Sequence, residues 1–147
     1  MNVTDLKGQT VAAALSGGLD SCTITRWLTD NGVNVVAFTT DMGQPDEPDL
    51  SKVQERLIAS GAKEAIIVDG RAQIANAGCL AVQAQALYEG EYWNTTGIGR
   101  HVIVSTIIPQ MRKKGISVFV HGATGRGNDQ VRFQFIKNML EPSFEVY

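Results

Sequence analysis

Val11-Ala12-Ala13-Ala14-Leu15-Ser16-Gly17-Gly18-Leu19-Asp20-Ser21 is the stretch on which the fold turns. Val11 to Leu15 form an apolar run too short for a helix and bounded by turn residues, which predicts a buried strand. The period then changes. Ile24, Trp27 and Leu28 recur at helical spacing between about residues 20 and 31, and Gly32 supplies a C-terminal stop. A strand, a glycine turn and a helix follow one another within the first 32 residues.

The same alternation continues outward. Residues 35–40 read as a second strand and residues 44–48 as a loop. Leu50, Val53 and Leu57 mark one face of a helix ended by Gly61, and residues 65–68 form a third strand. Residues 72–87 are Ala-rich and helical, and residues 89–99 are a polar, glycine-containing loop. Residues 98–114 read as helix, but Pro109 lacks an N–H and would clash with the carbonyl of Ser105, which predicts a kink or two shorter helices. A fourth strand at 117–120, a glycine-rich stretch at 121–127, a helix at 128–140 and the start of a fifth strand at 144–147 complete the chain. Alternating strands and helices predict an α/β fold, a Rossmann-like parallel five-stranded sheet with helices on both faces. No internal repeat, low-complexity tract or linker interrupts it. Ending inside an apparent strand predicts one nucleotide-binding domain over residues 1–147 that is truncated.

Composition narrows the function classes. The chain has 147 residues, of which 44% are hydrophobic and 19% charged, enough for one buried core and unlike a disordered segment. No apolar run approaches the ~18 residues of a membrane span, and the polar start offers no secretory signal. A net charge of −2 predicts no large nucleic-acid surface. Cys22 and Cys79 lie far apart with no CxxC, the usage expected of reduced thiols in a cytoplasmic protein.

Two loops carry the chemistry. In Ser16-Gly17-Gly18-Leu19-Asp20-Ser21, adjacent glycines allow a tight turn and a close backbone approach to a ligand. The helix behind them presents unpaired N–H groups, and the Ser16 and Ser21 hydroxyls add donors, which together suit a phosphate or pyrophosphate. The loop is neither a Walker A sequence nor G-x-G-x-x-G. Its plain alternative is a strand–helix turn with Asp20 or Ser21 as cap. The second loop, His121-Gly122-Ala123-Thr124-Gly125-Arg126-Gly127-Asn128-Asp129-Gln130-Val131-Arg132-Phe133, again joins strand to helix. Arg132 could grip a carboxylate bidentately and Asp129 could accept from an ammonium, the two pairings that amino-acid recognition needs. Asn128 and Arg132, four apart, share a helix face. The alternative here is a helix start capped by Asn128 or Asp129, with Arg132 solvated.

The full strings carry a resemblance. S-G-G-x-D-S resembles the pyrophosphate-loop signature of ATP pyrophosphatases, which have the adenine nucleotide alpha hydrolase-like fold. HGATGRGNDQVRF resembles the signature of the argininosuccinate synthase family, with Arg126 where Lys is usual. Tyr92-Trp93-Asn94-Thr95-Thr96-Gly97-Ile98-Gly99-Arg100 is similar to that family's citrulline-contacting loop, and Met42-Gly43-Gln44-Pro45-Asp46-Glu47 to the stretch after its second strand. The match covers the family's N-terminal, nucleotide-binding portion.

The resemblance implies an ATP-dependent ligase of arginine biosynthesis. The citrulline ureido oxygen attacks the α-phosphate of ATP, giving citrullyl-AMP and pyrophosphate, and the amino group of aspartate then displaces AMP to form argininosuccinate. It implies ATP contacts at Ser16, Gly17, Gly18, Asp20, Ser21, Thr40, Gly122 and Thr124, with Asp20 a possible Mg²⁺ partner. It implies citrulline contacts at Tyr92, Asn128 and Arg132, and aspartate contacts at Thr124, Asn128 and Asp129. No side chain serves as nucleophile, because the substrates supply both. The family is homo-oligomeric, and its remaining substrate contacts and oligomerisation elements lie past the position of Tyr147, so the 147-residue chain is expected to turn over little or nothing alone. Gly97 stands where many members have Ser, and Gln134, where many have Glu, has no assigned role. Another pyrophosphate-loop enzyme, such as one acting on tRNA, should show a strong basic surface or cysteines placed for sulfur transfer. A non-catalytic nucleotide-binding module is the remaining alternative.

Other prominent residues read as structure. Trp27 is expected in the core, Trp93 packed against the site, His121 hydrogen-bonded at a strand end and His101 solvated. Arg112-Lys113-Lys114 suits a helix C-terminus. Arg100, near a helix start, has no evident partner in the sequence.

Overall fold

Among the residues described by the computed structural model, 2–45 and 49–147, strands and helices alternate as the periodicity predicts. After a 3-10 turn at Val3–Leu6 come β1 (Thr10–Ala14), α1 (Leu19–Asp30), β2 (Asn34–Asp41), α2 (Leu50–Ala59), β3 (Glu64–Asp69) and α3 (Arg71–Gln83). They are followed by α4 (Thr95–Lys114), β4 (Val118–His121), α5 (Asn128–Leu140) and β5 (Glu145–Val146). The sheet is parallel throughout, in the order β3-β2-β1-β4-β5.

Alternation along β1 divides the core into two layers. Val11 and Ala13, with Leu15 beyond the strand, pack with Leu28 of α1 and Val53 and Leu57 of α2. Ala12 points the other way, into a cluster with Val104, Ile107 and Met111 of α4 and Phe133 and Ile136 of α5. A large apolar side chain fully buried in this way contributes roughly 1.5–3 kcal/mol. Covered on both faces, β2 is buried without interruption from Val35 to Thr40.

Three sequence expectations need correction. The kink or break at Pro109 is not a break: α4 runs as one helix from Thr95 to Lys114 with Pro109 inside it. Pro109 is exposed, so the carbonyl it leaves unpaired can be hydrated, while Val102, Val104, Ile107, Ile108 and Met111 anchor the buried side. Secondly, α4 begins at Thr95, inside the stretch read as loop, with Asn94 as a left-handed N-cap (φ 51). Thirdly, Trp27 is 47% exposed. The inner line of α1 is Thr25 and Leu28, and Thr25 tolerates burial because its hydroxyl donates to the Ser21 carbonyl. Of the stretch Met42 to Glu47, Asp46 and Glu47 lie outside the described residues.

Candidate functional site

Strand β1 lies beside β4, and the register pairs Ala14 with His121. The turns following these residues emerge next to each other at the carboxyl edge of the sheet. The topology also reverses here, since the chain winds from β1 toward β2 and β3, and from β4 toward β5. A switch point of this kind opens a crevice. The crevice has a volume of roughly 430 Å³, within the range of small-molecule sites. Ser16, Asp20 and Ser21 form one wall and Gly122, Ala123, Asp129 and Phe133 another. Leu15, Phe38, Thr40, Met42, Gln44 and Ile103 make a largely apolar recess, and Arg100 closes it from α4.

The first turn depends on Gly17. Its φ is +73°, and a Cβ there would lie 2.6 Å from Val53 Cγ1. Arg56 Nε donates to the Gly17 carbonyl at 2.9 Å, tying the turn to α2. The Ser16 and Ser21 hydroxyls are 3.1 Å apart, Ser21 Oγ accepts from the Ser16 N–H, and Ser16 Oγ accepts from the Gly18 N–H at 3.4 Å. The N-cap of α1 is Gly18, without a side-chain cap bond, so the alternative in which Asp20 or Ser21 caps the helix is not realised. Thr40 walls the crevice, with its buried hydroxyl 3.1 Å from that of Thr106.

In the second turn, His121 Nδ1 accepts from the Ala123 N–H at 3.2 Å, and the imidazole stacks on Phe133 at 5.0 Å. His121 is therefore the hydrogen-bonded strand-end residue its position suggests. Gly122 leaves room for α1, because a Cβ there would meet Ile24 Cδ1 at 3.0 Å. The N-cap of α5 is Gly127, again without a side-chain cap bond, so neither Asn128 nor Asp129 caps it.

Asp129 joins two cations, Arg100 and Arg132. Arg100 Nε and Nη2 both donate to its Oδ2, at 3.0 and 2.8 Å, and Arg132 Nη1 donates to Oδ1 at 2.9 Å. Burial pulls this carboxyl upward, but the hydrogen bonds and charges of Arg100 and Arg132 outweigh it and hold the group below its ordinary value. Arg100 lies over the Phe133 ring, 5.7 Å from its centroid.

Tyr92 sits outside the crevice wall, its hydroxyl held by the Thr95 and Thr96 hydroxyls and the Thr96 N–H. Those bonds, with the charge of Arg132, lower the phenol to about 8. Gly97 nests against Asn94, whose amide a Cβ would meet at 3.0 Å, so a serine would need Asn94 to shift. Trp93 is 37% exposed and does not wall the crevice.

The expected residues therefore separate. Ser16, Asp20, Ser21, Thr40, Gly122 and Asp129 wall the crevice. Gly17, Gly18, Thr124, Tyr92, Asn128 and Arg132 do not, although Arg132 is tied to it through Asp129. The sequence reading missed Arg56 as the clamp on Gly17, 39 residues away, and missed the partner of Arg100. Among the described residues, no group of three or more His, Cys, Asp or Glu side chains is placed to hold a metal. No helix among them is long and apolar enough to cross a membrane. A further hollow of roughly 540 Å³, between the outer face of α5 and β5, contains none of the expected ligand contacts.

Residues 10–147 match the family model described as the arginosuccinate synthase N-terminal HUP domain. An argininosuccinate synthase of Aquifex aeolicus (strain VF5) is 41% identical over 142 residues, 96% of this chain but only 35% of that enzyme's length. Two solved structures are similar in fold. One, titled a predicted subunit of tRNA methyltransferase from Methanocaldococcus jannaschii, has a TM-score of 0.57 at 16% identity, covering 94% of this chain and 66% of its own. The other, an NAD+ synthetase from Burkholderia pseudomallei, has a TM-score of 0.52 at 17% identity, covering 99% of this chain and 73% of its own.

Proposed function

The chain belongs to the argininosuccinate synthase family through its N-terminal HUP domain, and from that premise we propose that the crevice between the two turns binds ATP for the activation of citrulline. In this reading the chain supplies the nucleotide half of a ligase that joins citrulline to aspartate, releasing AMP and pyrophosphate. One observation supports it above the others. The Ala14–His121 register starts both turns side by side, so a triphosphate on the first turn lies within reach of the second.

The derived chemistry is one of positioning and charge. Adenine enters the recess beside Phe38, Thr40, Met42 and Ile103. The phosphate chain runs over the uncapped start of α1, where the free N–H groups and the Ser16 and Ser21 hydroxyls turn from each other to its oxygens. Thr124 and Asn128 stand beside the amino-acid end, with Asp129 to receive the ammonium of aspartate and the remaining donors of Arg132 to grip a carboxylate. Tyr92 approaches citrulline from the loop before α4 and Arg132 from the first turns of α5. The ureido oxygen attacks the α-phosphorus while the bond to the bridging oxygen breaks, and the aspartate amine then takes the activated carbon as AMP leaves.

Mg²⁺ is normally held by one or two carboxylates together with phosphate oxygens and water. The exposed Asp20 in the first turn of α1 fits that donor set once the phosphates complete it. Bound there, the ion neutralises charge on the phosphate chain. The chain spans 35% of the length of the Aquifex aeolicus argininosuccinate synthase it matches.

Calorimetry with Mg·ATP, with and without citrulline and aspartate, together with a pyrophosphate-release assay, tests the proposal. Adenine-nucleotide binding with little or no pyrophosphate release is expected from the 147-residue chain. Failure to bind nucleotide would remove the function, and robust turnover would show that residues 1–147 suffice for the reaction.

A further inference from the structure

Resting on that reading, we infer that Arg100 is a shared cation: it holds Asp129 while the crevice is empty and moves to the phosphate chain when nucleotide enters, freeing one oxygen of Asp129 for the incoming ammonium. Arg100 is the one Lys, Arg or His among the described residues that wall the crevice. The other charged groups on that wall are the carboxylates of Asp20 and Asp129, so a polyanion entering meets a net negative lining with a single positive group.

The geometry suits a transfer. Both bonds from Arg100 go to a single oxygen, Oδ2, while Oδ1 is held separately by Arg132. Releasing Arg100 thus empties Oδ2 and leaves the carboxylate compensated through Oδ1, avoiding the cost of an unpaired charge. Of the five guanidinium N–H groups, two point at Asp129 and the remainder are available to a second acceptor. The Phe133 ring beneath the guanidinium provides a surface on which it can slide without losing its packing. Its side chain is 30% exposed and that of Asp129 26%, so the pair is accessible from the crevice.

The competition between carboxylate and phosphate for one cation has an unusual sign, which a merely structural ion pair would not share. Titration calorimetry of Mg²⁺ with a non-hydrolysable ATP analogue is compared for the unaltered chain, R100K, R100Q, D129N and R100Q/D129N, with a melting curve for each. Binding is expected to weaken at least about tenfold in R100Q and less in R100K. D129N is expected to tighten binding several-fold, and that gain is expected to vanish in R100Q/D129N. A folded D129N that binds more weakly, or a gain that survives without Arg100, overturns the inference. A measurement that needs no variant accompanies it: the Arg100 Nε–H and Asp129 carboxyl NMR signals should move together on nucleotide addition, and stationary signals in a nucleotide-bound chain also overturn it. Loss of all nucleotide binding by the unaltered chain would overturn the proposed function itself, whereas intact binding with a failed cycle removes only the role of Arg100.

Discussion

Gly17 has two independent reasons to be glycine. Its φ of +73° lies in the left-handed region, and Val53 occupies the space a Cβ would need. The first costs an ordinary residue roughly 1–2 kcal/mol and overpacking typically adds 1–3. Gly17→Ala is therefore expected to lower unfolding free energy by about 2–5 kcal/mol in urea titrations; a loss below about 0.5 kcal/mol would show that the turn adapts. His121 makes a second prediction. Burial holds its imidazole below the usual 6.5, against the upward pull of a backbone hydrogen bond and of Asp129. The neutral ring accepts from the Ala123 N–H, a bond that protonation at Nδ1 abolishes. A histidine lowered in the fold adds stability that is complete above its unfolded value and disappears as pH falls through the native one. The thermal midpoint should therefore drop as pH is lowered from 6.5, and His121→Asn should flatten that drop; identical pH profiles for the two chains would contradict the assignment. The Gly-Gly pair and the strand-end histidine were legible because their constraints are local. The pairing of Arg100 with Asp129 was not: the two are 29 residues apart, and only the packing of α4 against α5 brings them together.

Elements were legible where one period persisted. Leu50, Val53 and Leu57 mark the inner face of α2, and Val53 and Leu57 are 1% exposed. The strand readings needed shifts of only about one residue at their ends, since apolar runs end wherever the last side chain is covered. Helix α4 was misread at its start, and of the two outcomes expected at Pro109 the break into shorter helices does not occur, because tertiary burial outweighs a local penalty. Seven residues along it are buried, from Gly99 to Met111, and that packing carries the helix through Pro109. If Pro109 is tolerated and not required, Pro109→Ala should raise stability by about 1–3 kcal/mol, seen as a higher urea midpoint at unchanged slope. A lower midpoint would mean that the proline shapes α4 in a way its neighbours need.

At the scale of the whole molecule, the site sits on the best-supported part of the sheet. Strands β1 and β4 are central, flanked by β2 and β5, and the two loops grow from their ends. Helix α3 stands apart from this arrangement. It has no buried residue, leaves Leu80 and Val82 largely exposed, and contributes nothing to the crevice wall. Local opening should follow the same gradient, because backbone protection depends on how much packing must be broken to expose an amide. Native-state hydrogen exchange is expected to find the amides of β1 and β2 opening only with the whole domain, and those of α3 exchanging at least about a hundredfold faster. Nucleotide should then slow exchange at the starts of α1 and α5, whose N-caps Gly18 and Gly127 belong to the two turns of the proposed nucleotide site, and leave α3, which does not wall the crevice, unchanged. Protection of α3 equal to that of β1, or raised by nucleotide, would contradict this gradient and require α3 to be coupled to the crevice by contacts other than those that wall it.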